Sequence, residues 1–450
     1  MKRPSAICLI DGEHYLSNLQ ESLFEIGKAY QIKRLIFIGG TEKIGTPDDV
    51  KKALPHPVDF AFGKKEPDLE KIGNILKGHS ADVVLDLSDE PVVSYRIRMA
   101  IANVVLFHGM VYRGSDFEFR PLDFKTIFTK PSLAIWGTGK RVGKTAMGGL
   151  IGRVFKRAGL EPAIITLSRG GPGKPILVRG DQIKIDSDYL LGKDAEGFHA
   201  SSDCFEDALT ARIPTFGCRR CGGGMAGKPF VTVVDAGARM AEKAPFVKSI
   251  VLEGSGASIA EIKTDKVILL MDATQTLDIL EAYMTPLRIR YADLVVLTMC
   301  EDFLASRSKI NQVIRHIRQI NPKARIATSV LRPKPLASIK GKTVFLATTA
   351  DPKALPHLKK YLEKNFGCRI RGVTHNLSDR PKLIGDLKRM GKVDLVLTEL
   401  KAAAIAVVAK EARKRGIDTV LLDNIPTLVD KGGDVKDLER EILDMMKKRR

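Results

Sequence analysis

Residues 136–145 read WGTGKRVGKT, and how they are read decides the fold. The apolar run Leu133–Trp136 before them is a buried-strand pattern, and "KTAMGGLIGRVFKRAG" after them is an amphipathic helix with Lys156 and Arg157 in its last turn and Gly159 at its cap. Strand, glycine-rich loop, Lys-Thr and helix is the context of a phosphate-binding loop. Loop N–H groups and the positive end of the helix would surround phosphate oxygens. Lys144 would reach the terminal phosphates and the Thr145 hydroxyl would ligate Mg2+. The usual pattern places a glycine five positions before Gly143, but Thr138 stands there and Gly137 comes one residue earlier. Gly137 and Gly139 leave the backbone free to bulge around the extra residue. The nucleotide cradle is therefore Gly137, Thr138, Gly139, Lys140, Arg141, Val142, Gly143, Lys144 and Thr145.

Outward from the loop, short β-branched runs alternate with longer amphipathic stretches along the whole chain, the pattern of an α/β protein with parallel sheets. The first block offers "AICLIDG", "RLIFIGG", "VDFAFG" and "DVVLDLS" as strands, with a helix over 15–28. The irregular "EFRPLDFKTIFTKPS" closes it. The second block continues through "PAIITLS", "FVTVVDAG", "SIVLEGSG", "KVILLMDAT" and "DLVVLTM" to the Pro-rich "RIATSVLRPKPL". The third reads "TVFLATTAD", "RIRGVTH", "DLVLTEL" and "TVLLDN" and closes on a charged helix. These blocks predict domains at 1–125, 126–335 and 336–450. The third shows nothing with catalytic spacing and reads as a packing or dimerisation module.

The 450 residues are too many for one ordinary core, and 44% hydrophobic content is that of a globular protein. No apolar run is long enough to cross a membrane, and the first one stops at Asp11, too soon for a signal peptide, so a cytoplasmic location is expected. Six cysteines do not make a disulfide framework, and Cys218 and Cys221 lack a second pair with zinc spacing. The net charge of +20 is spread along the chain with few aromatics, so a small polyanionic substrate, or a salty cytoplasm that screens the charge, explains it at least as well as nucleic acid, and no nucleic-acid partner is expected. Scarce Asn and Gln beside plentiful Lys, Arg and Glu suggest heat adaptation.

Ligands of open α/β sheets lie beyond the carboxyl ends of the strands. Two loops there combine glycine with cations: "SRGGPGK", with Arg169, Gly170, Gly171, Gly173 and Lys174, and "CRRCGGGMAGK", with Arg219, Arg220, Gly222, Gly223 and Lys228. Beside Lys140 and Arg141, they imply a substrate with more than one phosphate. Asp235 in "TVVDAG" and Asp272 in "LLMDAT" also end apolar runs, and one of them would share the metal or position water; the sequence does not decide between them, and Asp272 is counted with the metal ligands and Asp235 with the catalytic residues. Asp11, Glu13 and His14 follow the first strand and either face a site or shape a turn.

"GTGKRVGKT" resembles the loop of dethiobiotin synthetase, with the same spacing, and departs from the partitioning ATPases, whose signature Lys would fall at Gly139. "VLEGSGA" is similar to the Glu-Gly-Ala-Gly segment of dethiobiotin and cobyrinate synthetases, which implies that Glu253 holds Mg2+ with Thr145. Together with "LIDGEHY", "SRGGPG" and "RCGGG", these pieces resemble the cyclic 2,3-diphosphoglycerate synthetases of methanogenic archaea over essentially the full length. The resemblance implies a three-layer, dethiobiotin synthetase-like P-loop core flanked by Rossmann-like domains. It also implies ATP and Mg2+ as cofactors and closure of 2,3-diphosphoglycerate into a cyclic pyrophosphate with release of ADP and phosphate. Lys144, Lys140, Arg141, Glu253 and Asp235 would form the catalytic set, and a homodimer is the default assembly. The competing readings are 2-phosphoglycerate kinase, a dethiobiotin- or cobyrinate-type synthetase, and a regulatory P-loop switch.

Overall fold

The β-branched runs of the first block become parallel strands; Ser5–Ile10 and Val83–Asp86 at the centre are buried on both faces, as strands covered by helices on both sides must be. The computed structural model describes residues 3–44, 46–63 and 66–447, which form two compact units: Met1–Asp123 with Thr276–Tyr291, and Phe124–Gln275 with Ala292–Arg450. The C-terminal basic run lies, apart from Lys447, outside the described residues.

In the first unit the strands β1 (Ser5–Ile10), β2 (Gln31–Phe37), β3 (Val58–Phe60), β4 (Val83–Asp86), β5 (Val111–Arg113) and β6 (Glu118–Phe119) lie in the order β3-β2-β1-β4-β5-β6. Only β6 is antiparallel to its neighbour. Asp11, fully buried at the end of β1, accepts from the backbone N–H of Glu13 (3.0 Å), His14 Nδ1 (2.9 Å) and the N–H of Asp89 (2.5 Å), which ties two strand-end loops together. The helix Thr285–Tyr291 packs on the helix Tyr95–Phe107, where Asn103 accepts from the N–H of Leu287 at 2.7 Å.

The second unit is built around β7 (Ser132–Gly137), the strand that delivers the glycine-rich loop. Its parallel neighbours are β12 (Ser249–Glu253) on one side and β13 (Lys266–Asp272) on the other. Beyond β12 come β8 (Pro162–Ser168), β10 (Pro214–Cys221) and the short β11 (Val231–Thr232), with β9 (Ile176–Arg179) antiparallel on β10. Beyond β13 come β14 (Leu294–Thr298) and β15 (Arg325–Pro335). Two elements differ from the sequence reading. "FVTVVDAG" holds only two strand residues before the helix Val234–Lys243 begins, so Asp235 sits in a first helical turn. "PTFGCRRC" is a strand, although Pro214 and Gly217 make it look like loop; a Cβ on Gly217 would come within 2.8 Å of Cys204 Sγ.

The Pro-rich Arg325–Pro335 is itself a strand. Its first half continues the parallel sheet, and Ser329–Pro335 pairs antiparallel with β19 (Asp418–Leu428). Through β19 the sheet runs on to β18 (Leu395–Glu399), β16 (Thr343–Ala347) and β17 (Arg369–Thr374), thirteen strands among the described residues. The charged closing helix, Leu438–Lys447, buries Leu438, Ile442 and Met445 in one core with Leu150, Val154 and Phe155 of the loop-borne helix. This i, i+4, i+7 stripe is what a helix needs to pack on one face. Among the described residues no helix is long and apolar enough to cross a membrane.

Candidate functional site

The glycine-rich loop turns sharply at Arg141 (φ 67°) and Gly143 (φ 93°), both in the left-handed region. Such turns direct successive N–H groups toward a common point, the geometry of an anion nest. The Val142 carbonyl accepts from Thr298 Oγ1 at 3.0 Å, and the Thr138 N–H donates to Leu270 O at 3.1 Å, which fixes the loop against β13 and β14. Gly137 is required by space, since a Cβ there would stand 2.7 Å from Val142 Cγ2 and 3.1 Å from Lys144 Nζ; on Gly139 it would meet the end of the Gln275 side chain at 2.9 Å. Lys144 is 8% exposed and donates from Nζ to the Gly139 carbonyl at 2.9 Å. Burial holds its ammonium below the usual lysine range, against the opposing pull of Glu253 and Asp203.

Thr145 Oγ1 donates to Glu253 Oε1 at 3.0 Å, which joins the helix start to the end of β12. Behind this pair, Gly148, Gly149 and Gly152 let the helix Lys144–Arg157 approach the helix Asp203–Ala211; Cβ atoms there would meet Asp207, Thr210 and Ala211 at 3.1, 2.9 and 2.8 Å. The close approach gathers Asp203, Glu206, Asp207 and Glu253. Asp207 is fully buried, and neither its two oxygens nor Glu253 Oε2 accepts a hydrogen bond among the described residues. Burial raises all four: Glu206 to about 8, Asp207 well above the carboxylate range, and Asp203 and Glu253 upward; repulsion from Glu253 adds to it at Asp207 and from Asp203 at Glu253, whereas Lys144 and Lys401 oppose it at Asp203 and Lys401 opposes it at Glu206.

Two cavities open on the loop. The first, about 360 Å³, is ringed by Lys140, Arg141, Lys144, Arg169, Arg380 and Lys401, with Asp203 and Glu253 in its wall. The second, about 480 Å³, is lined by Asp272, Phe303, Leu331, His357 and Tyr361 among others, and is more apolar. Phe303 and His357 stack there with centroids 3.9 Å apart. Both cavities border Arg141, Gly143, Thr349 and Lys401.

The residues singled out from sequence are distributed unevenly. Lys140, Arg141, Gly143, Lys144, Thr145, Arg169, Gly170 and Glu253 line the first cavity. Burial and neighbouring Arg141 and Arg169 lower the Lys140 ammonium. Asp272 lines the second cavity and accepts from Thr274 Oγ1 at 2.7 Å; burial raises its carboxyl. Gly171, Lys174, Arg219, Arg220, Gly222 and Gly223 are not on either cavity wall. Gly171 abuts the Cys218 carbonyl, where a Cβ would come within 2.3 Å. Arg219 lies against Gly173, while the buried Arg220 donates to the carbonyls of Gly222 (2.6 Å) and Ser255 (2.8 Å). Lys228 pairs with Glu261 at 3.1 Å, and Asp235 with Lys125 at 2.5 Å, so neither reaches the loop.

Sequence reasoning missed Asp203, Glu206, Asp207, Arg380 and Lys401. The signal was there in "SSDCFEDAL", where acids at i, i+3 and i+4 fall on one helical face behind a Ser N-cap. Lys401 follows the buried strand "LVLTE", the position beyond a carboxyl end where ligands gather. Among the described residues no three His, Cys, Asp or Glu side chains gather to hold a metal unaided. A cation beside Thr145 would therefore complete its shell with ligand oxygens and water, as Mg2+ does in phosphate sites.

Comparison with known proteins adds an independent line. A family model described as the P-loop domain of cyclic 2,3-diphosphoglycerate synthetase matches residues 132–330, and models of that synthetase's N-terminal and C-terminal domains match 5–120 and 335–425. The protein named cyclic 2,3-diphosphoglycerate synthetase in Methanothermus fervidus is 44% identical over 445 residues, covering 98% of this chain and 96% of that one. The protein of the same name in Methanothermobacter thermautotrophicus is 44% identical over 451 residues, covering 97% of each chain. A third relative so named, in Rubrobacter xylanophilus, is 40% identical over 421 residues and covers 93% of each.

Proposed function

The chain belongs to the cyclic 2,3-diphosphoglycerate synthetase family, and from that premise we propose which of its residues carry an ATP-dependent ring closure. It is a ligase: 2,3-diphosphoglycerate and ATP give the cyclic pyrophosphate, ADP and inorganic phosphate. The observation that carries the residue assignment is the pairing of two cavities on one phosphate loop, one ringed by cations and one apolar and aromatic.

The nucleoside belongs in the second cavity, where Phe303, His357 and Tyr361 offer π-faces to a base. Its phosphates run into the nest at Gly137–Thr145, leaving the γ-phosphate at the border shared by both cavities. The diphosphoglycerate belongs in the first cavity, with Arg169, Lys140 and Arg380 neutralising two phosphates that would otherwise repel each other on adjacent carbons. Arg220 supports this wall by holding the Ser255 carbonyl beside Gly256. We read the core as a three-layer, dethiobiotin synthetase-like sheet, supported by the spacing of the loop and by β7 lying between the strands that end in Glu253 and Asp272.

Chemistry follows in two displacements. An oxygen of one substrate phosphate attacks the γ-phosphorus; that bond forms as the bond to ADP breaks, and ADP leaves with the electron pair. The product is a pyrophosphate on one carbon of the glycerate. An oxygen of the neighbouring phosphate then attacks the inner phosphorus of that pyrophosphate and expels inorganic phosphate, which closes the ring. Lys144 and Arg141 stabilise charge on the group in transit, and no side-chain nucleophile is needed. Thr145 and Glu253, whose oxygens lie 3.0 Å apart, would hold Mg2+ together with ligand oxygens and water, and the ion would neutralise phosphate charge; Asp272 faces the second cavity instead. A homodimer is our proposed assembly, and a light-scattering mass of a single chain would rule it out.

Phosphorus NMR of the protein with ATP, Mg2+ and 2,3-diphosphoglycerate tests the reading. The expected result is one cyclic product per ADP and phosphate released. ADP formation without a cyclic species, or none of either, contradicts it.

A further inference from the structure

Lys401 comes from the block whose sequence shows no catalytic spacing, yet it lies on the walls of both cavities. Four observations set it apart. First, its surroundings are acidic and fixed: Glu206 Oε1 stands 3.7 Å from its ammonium. Glu399, two residues before it, is locked by Thr349 Oγ1 (2.8 Å), Thr348 Oγ1 (3.2 Å) and Asn424 Nδ2 (3.4 Å). Second, the side chain is largely covered, so that this charge is not a solvated surface lysine. Third, the backbone after it is irregular in an identifiable way. Ala402 has φ 48°, a left-handed conformation that L-residues other than Asn and Asp rarely adopt. Ala404–Ala409 then winds as a π-helix, a form that recurs at functional sites. Fourth, this segment is anchored to the P-loop block by Ile405 N–H on Ser201 Oγ (3.4 Å) and by Lys410 on Asp194 (2.6 Å).

A largely covered cation 3.7 Å from Glu206 and two residues beyond the locked Glu399, followed by left-handed backbone at Ala402 and set at the border of two ligand cavities, is expensive to maintain as mere packing. We propose that Lys401 is a catalytic cation: it binds the phosphoryl group as it passes from the nucleotide in one cavity to the diphosphoglycerate in the other. The proposal rests on the ring-closure reading above. In the first displacement the γ-phosphorus exchanges its bond to ADP for a bond to a substrate phosphate, and the charge spreads over its equatorial oxygens. Lys144 meets that charge from the loop side and Lys401 from the third block. Burial disfavours the charge of this ammonium, but the surrounding acids outweigh burial and raise it above the usual lysine range; Glu399 is the ionised carboxylate among them, whereas Glu206, itself raised to about 8, ionises only as the pH approaches that value.

The third block thereby becomes part of the active site rather than a module attached to it. Because the two cations reach the reacting group from separate elements of one continuous sheet, a nucleotide alone leaves Lys401 without its second anionic guest. The enzyme gains selectivity against water as acceptor, since full charge neutralisation needs both ligands.

The test uses the full chain with Lys401→Met and with the double variant Lys401→Met/Glu206→Gln, which also removes the acid paired with the lost ammonium. Wild type is first shown to make the cyclic product; if it does not, the ring-closure reading fails rather than this proposal. Three quantities are then measured in each variant: kcat and KM for diphosphoglycerate, ADP affinity by calorimetry, and positional isotope exchange in ATP with diphosphoglycerate present. The expected result is a loss of about 100-fold in kcat in both variants, the usual consequence of removing one transition-state donor. Isotope exchange falls in parallel, while ADP affinity and, in the double variant, the melting temperature stay near wild type. A double variant that retains wild-type kcat overturns the proposal. So does a rate loss that tracks only the loss of folded protein while isotope exchange per folded molecule persists, because that is the signature of a structural role.

Discussion

Gly256 is where backbone geometry and substrate cation meet most closely, and Gly256→Ala puts a number on that meeting. Its φ is +60°, so any side chain there is strained. A Cβ would lie 2.9 Å from Arg169 Nη2 and 3.4 Å from Arg220 Nη2. The Arg220 guanidinium is anchored on two carbonyls, whereas Arg169 is exposed and has room to move. The methyl therefore displaces Arg169. The left-handed backbone costs about 1 kcal/mol of stability, too little to unfold a chain of this size. A hydrogen bond to a charged group is worth about 1.5–3 kcal/mol, and displacing Arg169 by a few tenths of an ångström forfeits part of it. At about 1.4 kcal/mol per decade the KM for diphosphoglycerate rises roughly tenfold. The KM for ATP does not change, because Gly256 does not border the second cavity. Coupled ADP release, titrated separately in each substrate, reads both constants. Equal shifts in the two KM values, or an unchanged diphosphoglycerate KM in both Gly256→Ala and Arg169→Ala, would refute the assignment of Arg169 to the substrate.

Four further outcomes follow from the same geometry. Lys144→Ala abolishes turnover, by about 1000-fold or more for a group that meets the transferred phosphate, while diphosphoglycerate still binds in calorimetry. Phe303→Ala raises the KM for ATP about tenfold, in line with 1–3 kcal/mol for stacking a base on an aromatic ring, and leaves diphosphoglycerate unaffected. Glu253→Gln raises the Mg2+ concentration needed for half-maximal rate, and chelation stops the wild type altogether; an unchanged Mg2+ titration would move the ion elsewhere. Glu206 supplies the pH dependence. Its folded value is raised from 4.5 to about 8, so that between those values the folded state holds a proton that the unfolded state has lost. Stability from this group is present below about pH 4.5 and is lost as the pH rises through 8. Glu206→Gln should flatten the fall in Tm across that window, and an identical slope in the variant would count against the assignment.

How much of this could be read from the sequence depends on the distance over which each signal acts. The loop and its helix were legible because glycine spacing, Lys-Thr and the 3.6-residue stripe are all local. The strands of β1 to β4, β7, β8, β12 to β14 and β16 to β19 were legible for the same reason. The strand Pro214–Cys221 was hidden by Pro214, its first residue, and by Gly217, where Cys204 leaves no room for a Cβ. Arg325–Pro335 looked like an end of structure; its prolines lie in the half that leaves β14 and pairs antiparallel with β19, opposite Asn424 and Leu422. The acids at 203, 206 and 207 and the lysine at 401 escaped notice because their meaning is tertiary. They matter only once Gly148, Gly149 and Gly152 bring two helices together and β18 delivers its end beside them. Conversely, Lys174, Arg219 and Lys228 looked alike in sequence to Arg169, and only the fold separates the one that lines the cavity from those that do not.

The central claim is that one loop serves two guests from opposite sides. A crystal structure of the protein with ADP and 2,3-diphosphoglycerate tests it most directly. The account predicts the ADP phosphates on the N–H groups of Gly137–Thr145 with the base beside Phe303 and His357, and the diphosphoglycerate between Arg169 and Lys401. Both ligands crowded into a single cavity, or diphosphoglycerate bound far from Arg169 and Lys401, would contradict it.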